Sequence, residues 1–156
     1  MLKIDIPGWR SLRLAHLVLD LNGTLALDGH LLPVHASLAR LGRSLQVTLL
    51  SADTHGTLDQ VALTLGVRAV RLDEKQDGAA QKAGYVDSLG AASVVAVGNG
   101  SNDVDMLRAA ALGIVVIGAE GCSVRALTAA DVVVASVENA LNLLLEPRRL
   151  VATLRS

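Results

Sequence analysis

Asp20 opens the run Asp20-Leu21-Asn22-Gly23-Thr24, directly after the apolar stretch Leu17-Val18-Leu19. A carboxylate there can attack phosphorus and form an acyl phosphate, which splits a difficult hydrolysis into two displacements. Gly23 lets backbone amides turn toward phosphate oxygens, and Thr24 can hold that turn through its hydroxyl. Two further segments fit the same chemistry. Ser51 follows Val47-Thr48-Leu49-Leu50 and offers a hydroxyl donor, with Ala52 beside it and a helix start shortly beyond. Such a start would present its positive end to a phosphoryl group. The run Gly98-Asn99-Gly100-Ser101-Asn102-Asp103 follows Val94-Val95-Ala96-Val97. A metaphosphate-like transition state carries its charge on equatorial oxygens and asks for a cation and a metal more than for covalent help. Lys82 is the candidate cation, while Lys75 lies in the polar connection Asp73-Glu74-Lys75-Gln76-Asp77 and is expected to be solvated. Mg²⁺ takes oxygen ligands, commonly one or two carboxylates with phosphate and water. Asp20 and Asp103 supply carboxylates and Asn99 an amide oxygen.

The elements that must bring these residues together are short apolar runs alternating with helix-length amphipathic stretches. The runs 17–19, 47–50, 67–70, 94–97, 114–117 and 132–134 read as strands of a parallel sheet covered on both faces. Helices are expected at 34–43, 55–65, 78–89, 103–111, 122–129 and 136–145, with Gly66, Gly90 and Gly113 as helix stops and Asn102 or Asp103 as a start. This alternation predicts an α/β fold: a three-layer, doubly wound parallel sheet in which ligands bind beyond the carboxyl ends of the strands. Asp20, Ser51 and the Gly98-Asn99-Gly100 turn all fall at such ends. The start differs, because Leu2-Lys3-Ile4-Asp5-Ile6 and Ser11-Leu12-Arg13-Leu14 flank Pro7-Gly8 and predict a β-hairpin. A second hairpin about Asp28-Gly29 would make a small flap over the site. No repeat, linker or long insertion interrupts the pattern, so residues 1–156 are expected to form a single domain without a large cap.

Composition excludes several classes. There is no Phe, and Trp9 and Tyr85 are the only aromatics, so the stacking platforms of single-strand nucleic-acid binders are missing. Fourteen basic against fifteen acidic residues leave no basic field for a phosphate backbone. Nucleic acid is therefore not an expected partner. Cys122 is the lone cysteine, which rules out an intrachain disulfide and suits a reducing cytosol. The first residues carry an acid and a proline where a signal peptide would be continuously apolar. Apolar runs elsewhere fall far short of the ~20 residues that cross a bilayer. A cytoplasmic protein without a membrane partner is the expectation.

Weaker signals give way to plainer readings. Gly98-Asn99-Gly100 lacks the third glycine of a dinucleotide loop and follows the fourth strand instead of the first. His16, His30, His35 and His55 show no paired metal spacing and read as surface or edge residues. Cys122 reads as a small apolar packing residue, and Arg148, Arg149 and Arg155 as solvated positions on a terminal helix or tail.

Taken in order, Asp20-Leu21-Asn22-Gly23-Thr24, Ser51, Lys82 and Gly98-Asn99-Gly100-Ser101-Asn102-Asp103 resemble the motifs of the haloacid dehalogenase (HAD) superfamily of phosphohydrolases. The likeness spans residues 14 to 135. With Met106-Leu107, the last motif resembles the phosphorylation domain of P-type ATPases and small soluble proteins likened to it. The resemblance implies a HAD-like Rossmannoid fold, Asp20 as nucleophile, Ser51 and Lys82 as phosphate binders, Mg²⁺ as cofactor, and a metal-binding role for the backbone carbonyl of Asn22. Catalytic positions are then Asp20, Asn22 and Lys82. Substrate-binding positions are Gly23, Thr24, Ser51, Ala52 and Lys82, and metal-binding positions are Asp20, Asn22, Asn99 and Asp103. The chain departs from the family twice. Asn22 stands where phosphatases carry an acid that protonates the leaving group and activates water, and Asn99 stands where a metal-binding Asp is usual. The expected activity is a Mg²⁺-dependent phosphohydrolase using an aspartyl phosphate on a phosphorylated small molecule or phosphoprotein. A phosphate-binding regulatory module or a phosphotransferase is the alternative, and a homo-oligomer partner or a large substrate would cover the open crevice.

Overall fold

The computed structural model describes residues 1–156. Six strands form one parallel sheet in the order β10-β9-β8-β3-β6-β7, and these are β3 (His16–Asp20), β6 (Gln46–Ser51), β7 (Arg68–Arg71), β8 (Val94–Gly98), β9 (Leu112–Val116) and β10 (Val132–Val134). Their side chains alternate between two cores, as the pleat requires. Leu17 and Leu19 of β3, Val95 and Val97 of β8, and Leu112, Ile114 and Val116 of β9 point into the larger one. Val18, Val94, Ala96 and Val115 point into the smaller. Fully burying each such Val or Leu contributes about 1.5–3 kcal/mol.

The larger core is closed by α1 (His35–Leu41), α2 (Leu58–Leu65), α6 (Val137–Leu145) and α7 (Pro147–Leu154), together with the hairpin β1 (Leu2–Asp5) and β2 (Ser11–Leu14). The smaller lies under α3 (Gly78–Ser88), α4 (Val104–Ala109) and α5 (Val124–Ala129). Several helices start where a side chain satisfies a free amide: Asp77 accepts from Ala79 N ahead of α3, Ser123 from Ala126 N ahead of α5, and Ser136 from Asn139 N ahead of α6. Gly66, in the left-handed region at φ 66°, ends α2. The terminal segment is the helix α7, and Arg148, Arg149 and Arg155 are exposed along it and at its cap.

Gly113 corrects the sequence reading. It does not stop a helix but lies inside β9, and α4 ends earlier, at Ala109. A Cβ on Gly113 would stand 2.5 Å from the carbonyl oxygen of Leu107, so what excludes a side chain there is the close approach of α4 to the strand.

From β3 the chain first winds outward through β6 and β7, then returns to β8 on the other flank of β3. The order of strands thus reverses between β3 and β8, and the carboxyl ends of those two strands frame a crevice. The second hairpin, β4 (Ala26–Leu27) with β5 (His30–Leu31), is the only sheet inserted between β3 and α1. No large cap is present, and no helix is long and apolar enough to cross a membrane.

Candidate active site

Asp20 ends β3, Ser51 ends β6 and Asn99 follows β8, so the sheet alone delivers three of the polar residues to one rim. The cavity between them has a volume of about 300 Å³ and is lined by Asp20, Asn22, Ser51, Ala52, Thr54, Asn99, Gly100, Asn102 and Glu120. Lys82 arrives from α3. It shares the inward face of that helix with Val86, one turn on, and both are buried against the sheet.

The Lys82 ammonium is 1% exposed and lies 2.7 Å from Asp20 Oδ1 and 2.6 Å from Asp103 Oδ1. Burial disfavours its charge, but the two carboxylates outweigh that and raise its pKa above the ordinary lysine value. For Asp20, burial and the neighbouring Asp103 charge push the carboxyl up to about 7, against the pull of Lys82. Lys75 is exposed and does not line the crevice.

Asp103 is fully buried. Its Oδ1 takes the Lys82 ammonium, and its Oδ2 accepts the backbone amides of Asn99 and Gly100, each at 2.9 Å. Gly98 must be glycine for this to happen, since a Cβ there would meet the Asp103 carboxylate at 2.5 Å. Of the residues named from sequence for a metal, Asp103 is thus the one that does not open onto the crevice. It instead holds Lys82 and the 98–100 turn in place. Asp105 is exposed on α4 and does not line the crevice.

Ser51 Oγ accepts the backbone amide of Asp53 at 3.0 Å, which leaves its own hydroxyl proton for a ligand. Asp53 has a positive φ of 58° and is held there by a clamp that sequence reasoning missed. Its carboxylate accepts the amides of Thr57 at 2.7 Å and Leu58 at 2.8 Å at the head of α2, and its other oxygen pairs with Arg71. Burial works to raise this carboxyl, but the Leu58 and Thr57 amides and the Arg71 guanidinium together hold it below the ordinary carboxylate range.

Gly23 turns at φ 79°. A Cβ there would lie 2.5 Å from Asn99 Nδ2 and 2.7 Å from Glu120 Oε2, so the glycine lets two side chains close on the loop. Thr24 is buried and donates to Asn99 Oδ1 at 3.3 Å. Gly23 and Thr24 line a neighbouring cavity of about 220 Å³, together with Ala26 and Leu27 of the small hairpin and Leu32 beyond it. That hairpin contributes nothing to the crevice of Asp20, so it does not act as the expected flap. Asn22 is half-buried at the crevice and donates to Thr54 Oγ1 at 3.4 Å.

Glu120 was not singled out from sequence. The signal available was its place just beyond the carboxyl end of β9, between Gly118 at φ 59° and Gly121 at φ 79°. His30, His35 and His55 are exposed, and His16 starts β3 at the opposite end of the sheet. Cys122 packs beside the smaller core.

No group of three His, Cys, Asp or Glu side chains stands ready for a metal. The residues lining the crevice that carry oxygen donors include Asp20 and Glu120 with carboxylates and Asn22 and Asn99 with neutral oxygens. This all-oxygen set suits Mg²⁺, which keeps several waters and uses few carboxylates.

This architecture defines the class: the chain has the HAD fold. It superposes on the 3-deoxy-D-manno-octulosonate 8-phosphate phosphatase of Moraxella catarrhalis, in complex with magnesium, phosphate and KDO, with a TM-score of 0.70 and 18% identity over 90% of this chain and 92% of that one. The cobalt-bound form of the deoxy-D-mannose-octulosonate 8-phosphate phosphatase of Haemophilus influenzae gives a TM-score of 0.72 at 14% identity, over 92% of this chain and 94% of that one. The catalytic domain of the CPx-ATPase CopB-B gives 0.58 at 18% identity, over 74% of this chain and 46% of that one. No family model matches the chain. In sequence, the chain belongs to one family with an uncharacterized protein of Methanocaldococcus jannaschii, 47% identical over 62 residues that make up 40% of this chain and 67% of that protein.

Proposed function

We propose that the protein is a Mg²⁺-dependent phosphohydrolase that acts on a phosphorylated small molecule or phosphoprotein through an aspartyl phosphate on Asp20. The observation that carries this reading is the Asp20 carboxylate in the switch-point crevice, 2.7 Å from a buried lysine and sharing the cavity with Ser51 and Ala52. The likeness in fold to phosphatases supports it.

In the first displacement an oxygen of Asp20 attacks phosphorus, the bond from phosphorus to the leaving oxygen breaks, and the leaving oxygen takes a proton from water. In the second, water attacks the phosphorus of the acyl phosphate. The bond to Asp20 breaks, the carboxylate is restored, and inorganic phosphate leaves with the water's oxygen. Lys82, the Ser51 hydroxyl and the backbone about Gly23, Thr24 and Ala52 would bind the phosphoryl oxygens. The Asp20 carboxylate, the Asn22 carbonyl and the Asn99 amide oxygen would hold Mg²⁺, which when bound would supply positive charge against the phosphoryl oxygens and favour the ionised form of Asp20. Asp103 positions Lys82 and the turn that carries Asn99.

Asn22 neither gives nor takes the proton that both steps move. General acid-base help is typically worth about 10²–10⁴ in rate, so release to water is the slow step. Asn22 and Asn99 also favour a second reading, in which the same pocket holds phosphate with little turnover or passes it to an acceptor other than water.

A panel of phosphorylated metabolites assayed with and without Mg²⁺, with detection of an acid-stable, hydroxylamine-sensitive phosphoenzyme, separates these readings. Turnover that survives Asp20→Asn unchanged would sink the nucleophile assignment. Phosphate binding without hydrolysis would favour the regulatory module, and transfer exceeding hydrolysis the phosphotransferase.

A further inference from the structure

The crevice contains a second carboxylate that none of the recognised motifs accounts for. Glu120 is exposed in the turn after β9, lines the same cavity as Asp20, and joins none of the ion pairs of the protein. What holds its turn is Asn99. The Asn99 Nδ2 donates to the carbonyl of Gly121 at 3.3 Å, and the Asn99 carbonyl accepts the amide of Ser123 at 2.9 Å. A peptide carbonyl can only accept, so the NH₂ half of the Asn99 side chain must face Gly121 and its oxygen must face Thr24. An aspartate at 99 would set a carboxylate oxygen against that carbonyl and push the turn away. On the other flank the turn closes on Gly23. A Cβ built on Gly118 would lie 3.6 Å from the Gly23 carbonyl, and Glu120 Oε2 lies 2.7 Å from where a Gly23 Cβ would be.

We propose that Glu120 supplies the second carboxylate for the divalent cation held by Asp20, and that Asn99 serves through its amide as the anchor of the Glu120 turn. The inference rests on the Mg²⁺ site of the proposed phosphohydrolase. One fewer charge at position 99 weakens an Mg²⁺ site, and Asp103 cannot make up the loss because Lys82 and two backbone amides occupy it. Glu120 is the one other carboxylate that lines the cavity. Its long exposed side chain turns toward a cation without moving the backbone. The negative charge lost at 99 is thus returned at 120, in the same crevice.

The test is cation binding by the full chain, with no substrate and no turnover. Mn²⁺ is titrated in and the free ion followed by electron paramagnetic resonance, with Mg²⁺ as competitor. Asp20→Asn and Glu120→Gln are each expected to weaken Mn²⁺ and Mg²⁺ binding about 10-fold or more, the scale on which groups around a metal matter. Glu138→Gln, which removes an acid from the neighbouring cavity, is expected to change it by less than about twofold. Thermal melts in chelator are expected to leave Glu120→Gln at the wild-type midpoint, because the side chain is exposed and unpaired. Wild-type affinity in Glu120→Gln beside weakened binding in Asp20→Asn overturns the role of Glu120 and leaves the Asp20 site standing. Weakening by Glu120→Gln alone places the cation away from Asp20 and also overturns the proposal. No binding by the wild-type chain removes the metal site and, with it, the Mg²⁺-dependent reading.

Discussion

Lys82 and Asp103 meet at 2.6 Å with neither side chain more than 1% exposed. The same ammonium bonds Asp20 at 2.7 Å, so one lysine bridges two carboxylates that would otherwise face each other in a buried site. Breaking a buried ion pair by removing one partner typically costs about 3–5 kcal/mol, because the remaining charge is left without compensation. Lys82→Met is therefore expected to lose about that much stability at neutral pH, and to lose phosphate binding with it. Urea unfolding of the two proteins measures the first and phosphate titration the second. An unfolding midpoint equal to that of the wild type would mean that the pair does not hold the site together.

Asn22 lines the crevice beside Asp20 and bonds only weakly to Thr54, at 3.4 Å. Replacing its amide by a carboxyl keeps the size and supplies a group that can move a proton. Asn22→Asp is expected to speed decay of the phosphoenzyme by about 10-fold or more, within the range typical of general acid-base catalysis. Quenched single-turnover assays of the labelled phosphoenzyme give the rate directly. Unchanged decay would show that proton transfer at this position does not limit release.

The parts of the site carried by strand ends were legible in the sequence. Asp20, Ser51 and Asn99 each follow an apolar run, and a parallel sheet brings such ends to one rim whatever lies between. Lys82 was legible as a cation because its helix precedes the fourth strand, although only packing with Val86 against the sheet reveals that it is buried. The Asp53 clamp was not legible, since it joins Arg71 at the end of β7 to the head of α2 through a turn at positive φ. Nor was the approach of Glu120 to Gly23, which joins segments close to one hundred positions apart. The small hairpin was readable as a hairpin from Asp28-Gly29, but where it leans depends on packing beside Val116 and Val137.

Gly113 illustrates why a glycine alone is ambiguous. Glycine after an apolar periodic stretch can serve a left-handed cap or a close approach of backbones, and the sequence looks the same in both cases. Gly66 is the first kind, at φ 66° with nothing within 4 Å of a built Cβ. Gly113 is the second, with the Leu107 carbonyl carbon and Cα behind the oxygen at 3.2 and 3.3 Å. Gly66→Ala is expected to cost about 1–2 kcal/mol from the dihedral alone. Gly113→Ala must shift α4 against β9, and is expected to cost about 1–3 kcal/mol, the usual price of overpacking. It should also loosen the Asp103 anchor just ahead of α4, which Gly66→Ala leaves untouched. Thermal unfolding together with phosphate titration separates the two. Full phosphate affinity in Gly113→Ala would sever the link from α4 to the site.

Asp53 ties stability to pH. Its carboxyl is depressed in the folded protein by the Leu58 and Thr57 amides and Arg71, acting against burial, whereas in the unfolded chain an aspartate titrates near about 3.9. A depressed carboxyl contributes stability that is fully present above the unfolded value and is lost as pH falls through the lower, folded one. Asn tolerates the left-handed backbone at this position about as well as Asp does. Asp53→Asn therefore removes the charge without adding backbone strain. The variant is expected to be about 1–2 kcal/mol less stable at neutral pH, comparable to loss of a helix cap. The gap should then close in acid, where the wild-type carboxylate is protonated as well. Urea unfolding of both proteins from neutral pH down into the acid range measures it. A gap that stays constant all the way down would mean that the ionised carboxylate is not what holds α2, and with it the Ser51 turn, in place.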